Sequence, residues 1–172
     1  MLRPQLRAKW DDPDALYSLI VSALNDGFVA EVDDASARLL AIDQTIERGH
    51  VIRAIVLLKL GRLDDAEHVL RAAIAETGET GTLLTNLAKV EDARGKTTQA
   101  DATLWKALTL DPNQDNGLAW WTARERDYGG ESAYVAALEK VAALPDSWRA
   151  TLWLGAQHLK EGDVDGAMTR FR

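Results

Sequence analysis

The apolar positions fall in paired amphipathic stretches separated by glycine, and the clearest pair runs from Gly81 to Gln114. Leu84, Leu87, Ala88 and Glu91 lie at helical spacing, and Gly95 breaks the stretch. Ala100, Leu104 and Ala107 then recur at the same spacing, and Asp111-Pro112-Asn113 closes it. The pattern predicts one helical hairpin.

The same alternation runs along the rest of the chain. Pro13 after Asp11 and Asp12 suits a first helical turn, and Leu16, Leu19, Ile20, Ala23 and Leu24 form one apolar face ended by Asn25-Asp26-Gly27. A second helix is expected from Ala30 to Asp43, on Val32, Ala35, Leu39 and Ile42. Glu47 to Leu60 carries Val51, Ala54, Ile55, Leu57 and Leu58; Gly61 ends it, and Ala66, Leu70, Ala73 and Ile74 mark the return helix.

A period emerges from these hairpins. Gly61 to Gly95, Ala66 to Ala100, Leu70 to Leu104 and Ala73 to Ala107 are each 34 residues apart. Trp121 and Thr122 take the places of Leu87 and Ala88 in a third unit, whose return helix is expected from Glu131 to Ala143, before Leu144-Pro145-Asp146. Pro112 to Pro145 is 33 residues, so one position is missing, and the turn at Tyr128-Gly129-Gly130 is the expected place. Counted back from Pro145, Ala137 stands where a large residue is expected and Lys140 where alanine is. A fourth unit from Trp148 carries Leu154-Gly155, Gly162, Ala167 and Phe171, and stops at Arg172 within its return helix.

A 34-residue helix-turn-helix period with a turn glycine, an alanine, a large apolar residue four on, another alanine and a closing proline resembles the tetratricopeptide repeat. Residues 47–172 carry the resemblance, in units 47–80, 81–114, 115–147 and an incomplete 148–172. Residues 1–46 are expected to form an atypical N-terminal capping pair. The implied fold is all-α, a right-handed superhelical solenoid of antiparallel helix hairpins. Each hairpin leaves an apolar stripe that only its neighbours can bury. Phe171 in an unfinished helix is expected of a fragment of a longer array, or of a surface that self-associates through that helix.

Charge and composition narrow the function. Net charge is −7 with pI near 5.0, which speaks against non-specific binding to nucleic acid or an anionic membrane. With no cysteine, thiol and thiolate chemistry is excluded. The apolar run from Leu16 to Leu24 is far below the ~20 residues of a membrane span, and a cytoplasmic protein is the expectation. Between Trp10 and Arg38 stand Asp11, Asp12, Asp14, Asp26, Glu31, Asp33 and Asp34 with no Lys or Arg. That stretch reads as a solvated outer face, or as a docking patch for a basic partner.

Catalytic chemistry has little support. His50, His68 and His158 are scattered, and Glu47-x-x-His50 lacks the second copy and partner glutamates that a di-metal site needs. Gly78-Glu79-Thr80-Gly81 follows no strand, so it is no phosphate cradle. No metal, no cofactor and no enzymatic activity are expected.

The resemblance implies that the first helix of each hairpin lines a concave face. Trp120 and Trp153 are then expected side by side there, with Asn86 one repeat earlier and Lys89, Asp92, Arg126 and Arg149 near them. Aromatic residues flanked by cations suit an extended peptide or a partner helix, whereas Trp121 reads as a filler between repeats. Asn86, Lys89, Trp120, Arg126, Arg149 and Trp153 are therefore the partner-binding candidates. The carboxylate clamp of chaperone-binding relatives is not matched: Val51, Ile55, Asn116 and Trp120 stand where it has Lys, Asn, Lys and Arg, and Asn86 alone fits. The expected function is a non-enzymatic scaffold that takes a peptide or helix of a partner. An interaction module of a larger enzyme or regulator, or a small chaperone-like escort, are the alternatives.

Overall fold

The computed structural model describes residues 2–170. Every regular element among them is helical: α1 (Leu2–Ala8), α2 (Pro13–Asn25), a short 3-10 turn (Ala30–Val32) leading into α3 (Asp33–Ile42), α4 (Ile46–Lys59), α5 (Leu63–Thr77), α6 (Gly81–Ala93), α7 (Thr97–Leu110), α8 (Asp115–Ala142), α9 (Arg149–Lys160) and α10 (Val164–Arg170). Phe171 lies outside the described residues. The chain divides into two compact units. The first runs to Glu79 and includes Asn86–Ala100; the second comprises Thr80–Thr85 and the residues from Asp101 onward.

The first unit is built on the apolar faces that the spacing marks. Leu16, Ile20 and Ala23 of α2, Val32, Ala35 and Leu39 of the next two elements, and Ile52 and Val56 of α4 form one buried cluster. Asp12 caps α2, its carboxylate accepting from the Ala15 N–H at 3.0 Å, with Pro13 as the first helical residue. The short α1 has no counterpart among the predicted elements: Leu6 is its buried residue, with Leu2 one turn earlier packed against the same cluster, and two apolar residues are too few to mark a period.

Three of the seven acids in the N-terminal stretch are ion-paired within this unit. Arg38 donates to Asp11, Arg48 to Asp14 at 2.6 Å, and Arg53 to Asp33 at 2.5 Å, with Arg62 at 3.4 Å from Asp33. The stretch looks unbalanced in sequence because its counter-charges come from later helices. Asp26, Glu31 and Asp34 stay exposed.

Ala88 and Ala100 are both fully buried, as close helix approach requires. Gly95 ends α6 with φ +75°, while the Lys96 N–H returns to the Glu91 carbonyl at 3.0 Å and the Gly95 N–H to that of Asp92 at 2.8 Å. These two bonds make a Schellman cap, whose left-handed residue is glycine for want of a Cβ. Glu91 is buried beside it, accepting from the Gln99 amide at 2.6 Å with the Arg71 guanidinium at 3.8 Å.

In the second unit the missing position is not in the turn. The helical run of α8 breaks at Gly130 (φ 70°, ψ −157°). Beyond it Leu138 and Val141 are fully buried, 34 residues after Leu104 and Ala107. The return helix therefore keeps the full period. Leu154 and Gly155, also buried, follow Trp121 and Thr122 by 33. The residue is thus lost between Val141 and Ala150, in the connection where Asp146 adopts φ 59°. Leu138 is the large core residue and Val141 the small-residue equivalent. Counting back from Pro145 had shifted these positions onto Ala137 and Lys140.

Candidate partner-binding site

On α6, Leu83, Leu84, Thr85, Leu87, Ala88, Val90 and Glu91 are buried, whereas Thr82, Asn86 and Lys89 are half-buried. Those three are separated by four and three residues, so they share one helix face. The first helices of the other hairpins carry a similar stripe. On α4 it comprises Val51, Ile55 and Leu58, half-buried, and Lys59, exposed. In the second unit Trp120 on α8 and Trp153 on α9 are half-buried, on helices that pack against each other.

The six candidates divide by what they touch. Trp120 has one face under the Arg124 guanidinium, 5.1 Å from its ring centroid, and Arg124 is itself held by Asp101 at 2.7 Å. Arg126 lies over Tyr134, 3.7 Å from its ring centroid, and pairs with Glu131 at 3.1 Å. Arg149 donates through Nε to the Asn113 carbonyl at 2.6 Å, pairs with Asp115 at 3.0 Å and covers Trp148 at 4.9 Å. Both arginines are thus engaged by their own unit. Lys89 differs. Burial, followed by the nearby charge of Lys59, pushes its ammonium below the ordinary lysine value.

Among the described residues, the aromatic rings in contact are Trp105 and Trp121, with centroids 5.4 Å apart and planes tilted by 43°. Trp121 is 8% exposed, a filler as its place in the repeat implies. The Lys140 ammonium lies 3.9 Å from the Trp105 centroid and 5.0 Å from that of Trp121. Trp105 and Lys140 were missed as a pair because they stand in different repeats, 35 residues apart.

Other chemistry is sparse. Among the described residues no three His, Asp or Glu side chains gather as metal ligands. No helix of the described residues is long and apolar enough to cross a membrane. A cavity of about 700 Å3 opens beside Leu2, Arg3, Leu19, Ser22 and Phe28 in the first unit, and none of the six candidates lines it.

The family model of the tetratricopeptide repeat matches residues 53–115. Those residues carry the tetratricopeptide-repeat pattern, and the chain is similar to that family. No curated protein matches the sequence. Among solved structures, TTC0263, a thermophilic tetratricopeptide-repeat protein of Thermus thermophilus, is similar with a TM-score of 0.60 and 19% identity, over 92% of this chain and 88% of that one. PilF of Pseudomonas aeruginosa is similar with a TM-score of 0.58 and 18% identity, over 92% and 73%. YrrB, a tetratricopeptide-repeat protein with an unusual peptide-binding site, is similar with a TM-score of 0.52 and 13% identity, over 99% and 88%. At these identities the likeness establishes the tetratricopeptide-repeat fold.

Proposed function

We propose that this tetratricopeptide-repeat chain binds an extended peptide or a helix of a partner protein along the face of α8 and α9 that carries Trp120 and Trp153, without catalysis. The observation that carries the reading is the pair Trp120 and Trp153. Each is a large amphipathic side chain left half-buried on a first helix, where the neighbouring Leu118 and Leu154 are fully buried. Such residues supply contact area at a small entropic cost and are typical anchors of recognition sites. The peptide-binding site of YrrB adds support at the level of fold. A preformed helical face of this kind binds with little backbone change.

Affinity capture with the whole chain, repeated with Trp120→Ala and Trp153→Ala, tests the reading. Partners retained by the wild type and lost by both folded variants are the expected result; recovery of the same partners by all three overturns it. Titration with the recovered partner should also shift tryptophan emission in the wild type.

A second reading concerns self-association. Leu152, Leu159, Val164 and Met168 of the last hairpin are each about half exposed or more. We infer that copies of the chain associate through this hairpin. Sedimentation across a wide concentration range should show a concentration-dependent dimer that Leu152→Lys abolishes; a monomer throughout overturns the inference.

A further inference from the structure

Of the seven acids between Trp10 and Arg38, Asp11, Asp14 and Asp33 meet arginines and Asp12 caps α2. Asp26, Glu31 and Asp34 remain, all exposed, and among the described residues none of them forms an ion pair. These three line two openings that share Glu31. Asp26 and Glu31 stand in the wall of the cavity of about 700 Å3, with Leu2, Leu19, Ala23 and Phe28. Glu31 also lines a smaller cavity of about 170 Å3, with Trp10 and Asp34. Phe28 is 48% exposed, whereas Leu2 and Leu19 pack against the core cluster. The acids without a partner are the ones beside an open apolar wall.

The chain itself seats one segment at this corner. Leu2, Leu6 and Trp10 stand four positions apart, Arg3, Arg7 and Lys9 lie between them, and residues 2–10 contain no acid. Leu6 is 3% exposed, and Leu2 and Trp10 pack on the same cluster. Arg3 lines both openings and Arg7 the smaller one, yet among the described residues neither pairs with Asp26, Glu31 or Asp34. A basic amphipathic segment is thus anchored there without filling the space or neutralising the acids.

We propose that this corner docks a basic amphipathic segment of a partner protein. Its apolar side chains enter the larger cavity against Leu19 and Phe28, and its Lys or Arg side chains meet Asp26, Glu31 and Asp34. Burial of the exposed Phe28 supplies the apolar contact, and a cavity of this volume accommodates several side chains. The carboxylates add charge-assisted hydrogen bonds and steer the encounter, an effect that salt weakens. An acidic segment would meet three carboxylates and only two guanidinium groups, so the corner favours a basic one. The corner belongs to the first unit, whereas Trp120 and Trp153 belong to the second, so the proposal stands independently of the peptide-binding reading above.

Three amphipathic peptides test the site by NMR titration of the full chain. Each is acetylated and amidated and repeats one block three times: Leu-Lys-Lys-Leu, Leu-Gln-Gln-Leu or Leu-Glu-Glu-Leu. The lysine peptide should bind roughly tenfold or more tightly than the other two, shift the signals of Leu19, Ser22, Phe28 and Glu31, and weaken as salt is added. Asp26→Asn with Glu31→Gln should bring its binding down to the level of the glutamine peptide. Glu76→Gln with Asp165→Asn removes the same charge from other exposed positions and should leave binding unchanged. Phe28→Ala, at a residue already half exposed, should weaken the lysine and glutamine peptides alike. Equal binding of the lysine and glutamine peptides, no binding by any, tightest binding of the glutamate peptide, or an equal loss in the two charge variants overturns the proposal. So does loss of the lysine peptide with Trp120→Ala or Trp153→Ala. Failure of the lysine peptide at this corner leaves the partners captured through Trp120 and Trp153 untouched, so the two readings fall separately.

Discussion

Asn113 and Arg149 hold one another from both sides: the Asn113 Oδ1 accepts from the Arg149 N–H at 3.0 Å, and the Arg149 Nε donates to the Asn113 carbonyl at 2.6 Å. The same Oδ1 accepts from the Trp148 N–H at 2.9 Å, and the Asn113 amide donates to the Asp146 carbonyl at 2.8 Å. One side chain thus satisfies the first free donors of α9 from the loop one repeat away, the task of an N-cap residue.

Asn113→Ala leaves those two donors without their acceptor and should destabilise the protein by about 1–2 kcal/mol. Urea denaturation followed by circular dichroism would show the midpoint fall with little change in slope. Asn113→Asp, which keeps the acceptor, should recover most of the loss.

Ala100 is fully buried, so Ala100→Leu overpacks its surroundings and should cost ~1–3 kcal/mol. Gly95→Ala, forced into a left-handed backbone, should cost on the order of 1 kcal/mol. Thermal melts of the two variants check both values, and an unchanged Ala100→Leu melt would remove the close-approach argument.

Replacing Lys140 by alanine removes the cation over Trp105 and should cost about 0.5–1 kcal/mol. Tryptophan emission should move to longer wavelength as water reaches the Trp105 and Trp121 rings. Lys140→Met, which keeps the aliphatic stem without the charge, should restore the emission but only part of the stability.

The Asp43 side chain is 2% exposed, and its carboxylate accepts from Arg48 at 2.7 Å and from the Thr45 N–H at 2.9 Å. Burial alone would raise its pKa, but the Arg48 hydrogen bond, the Thr45 N–H and the Arg48 charge together hold it below the ordinary value. As pH falls, the unfolded chain therefore takes up this proton first. The contribution is complete above the ordinary aspartate range and is lost as the pH drops through about 4 and on towards the lowered value. The melting difference between wild type and Asp43→Asn should be large at neutral pH and shrink in acid; a difference constant with pH would contradict the assignment.

The helices were legible where apolar residues repeat at fixed spacing. Leu16, Ile20 and Leu39, or Leu70 and Leu104, are fully buried because their periodicity leaves one face for the core. What could not be read were pairings set by distance in space. Arg48 and Arg53 neutralise acids 34 and 20 residues earlier, and Lys140 reaches Trp105 on α7 and Trp121 on the far side of the Gly130 break in α8. The phase of the third return helix was misread for a related reason. Proline marks where a helix cannot continue, whereas Leu138 and Val141 mark which face is buried, and the two markers part company when a connection shortens.

That shortening has a practical side. Because the residue between Val141 and Ala150 is dropped outside both helices of the hairpin, each core keeps its own phase and the length change is absorbed by the linker. Hairpins of this chain should therefore behave as exchangeable cassettes when cut there. Adding one residue between Ala143 and Ser147 should be tolerated far better than adding one inside α8 between Glu131 and Val141, where every following side chain would turn by about 100° about the helix axis.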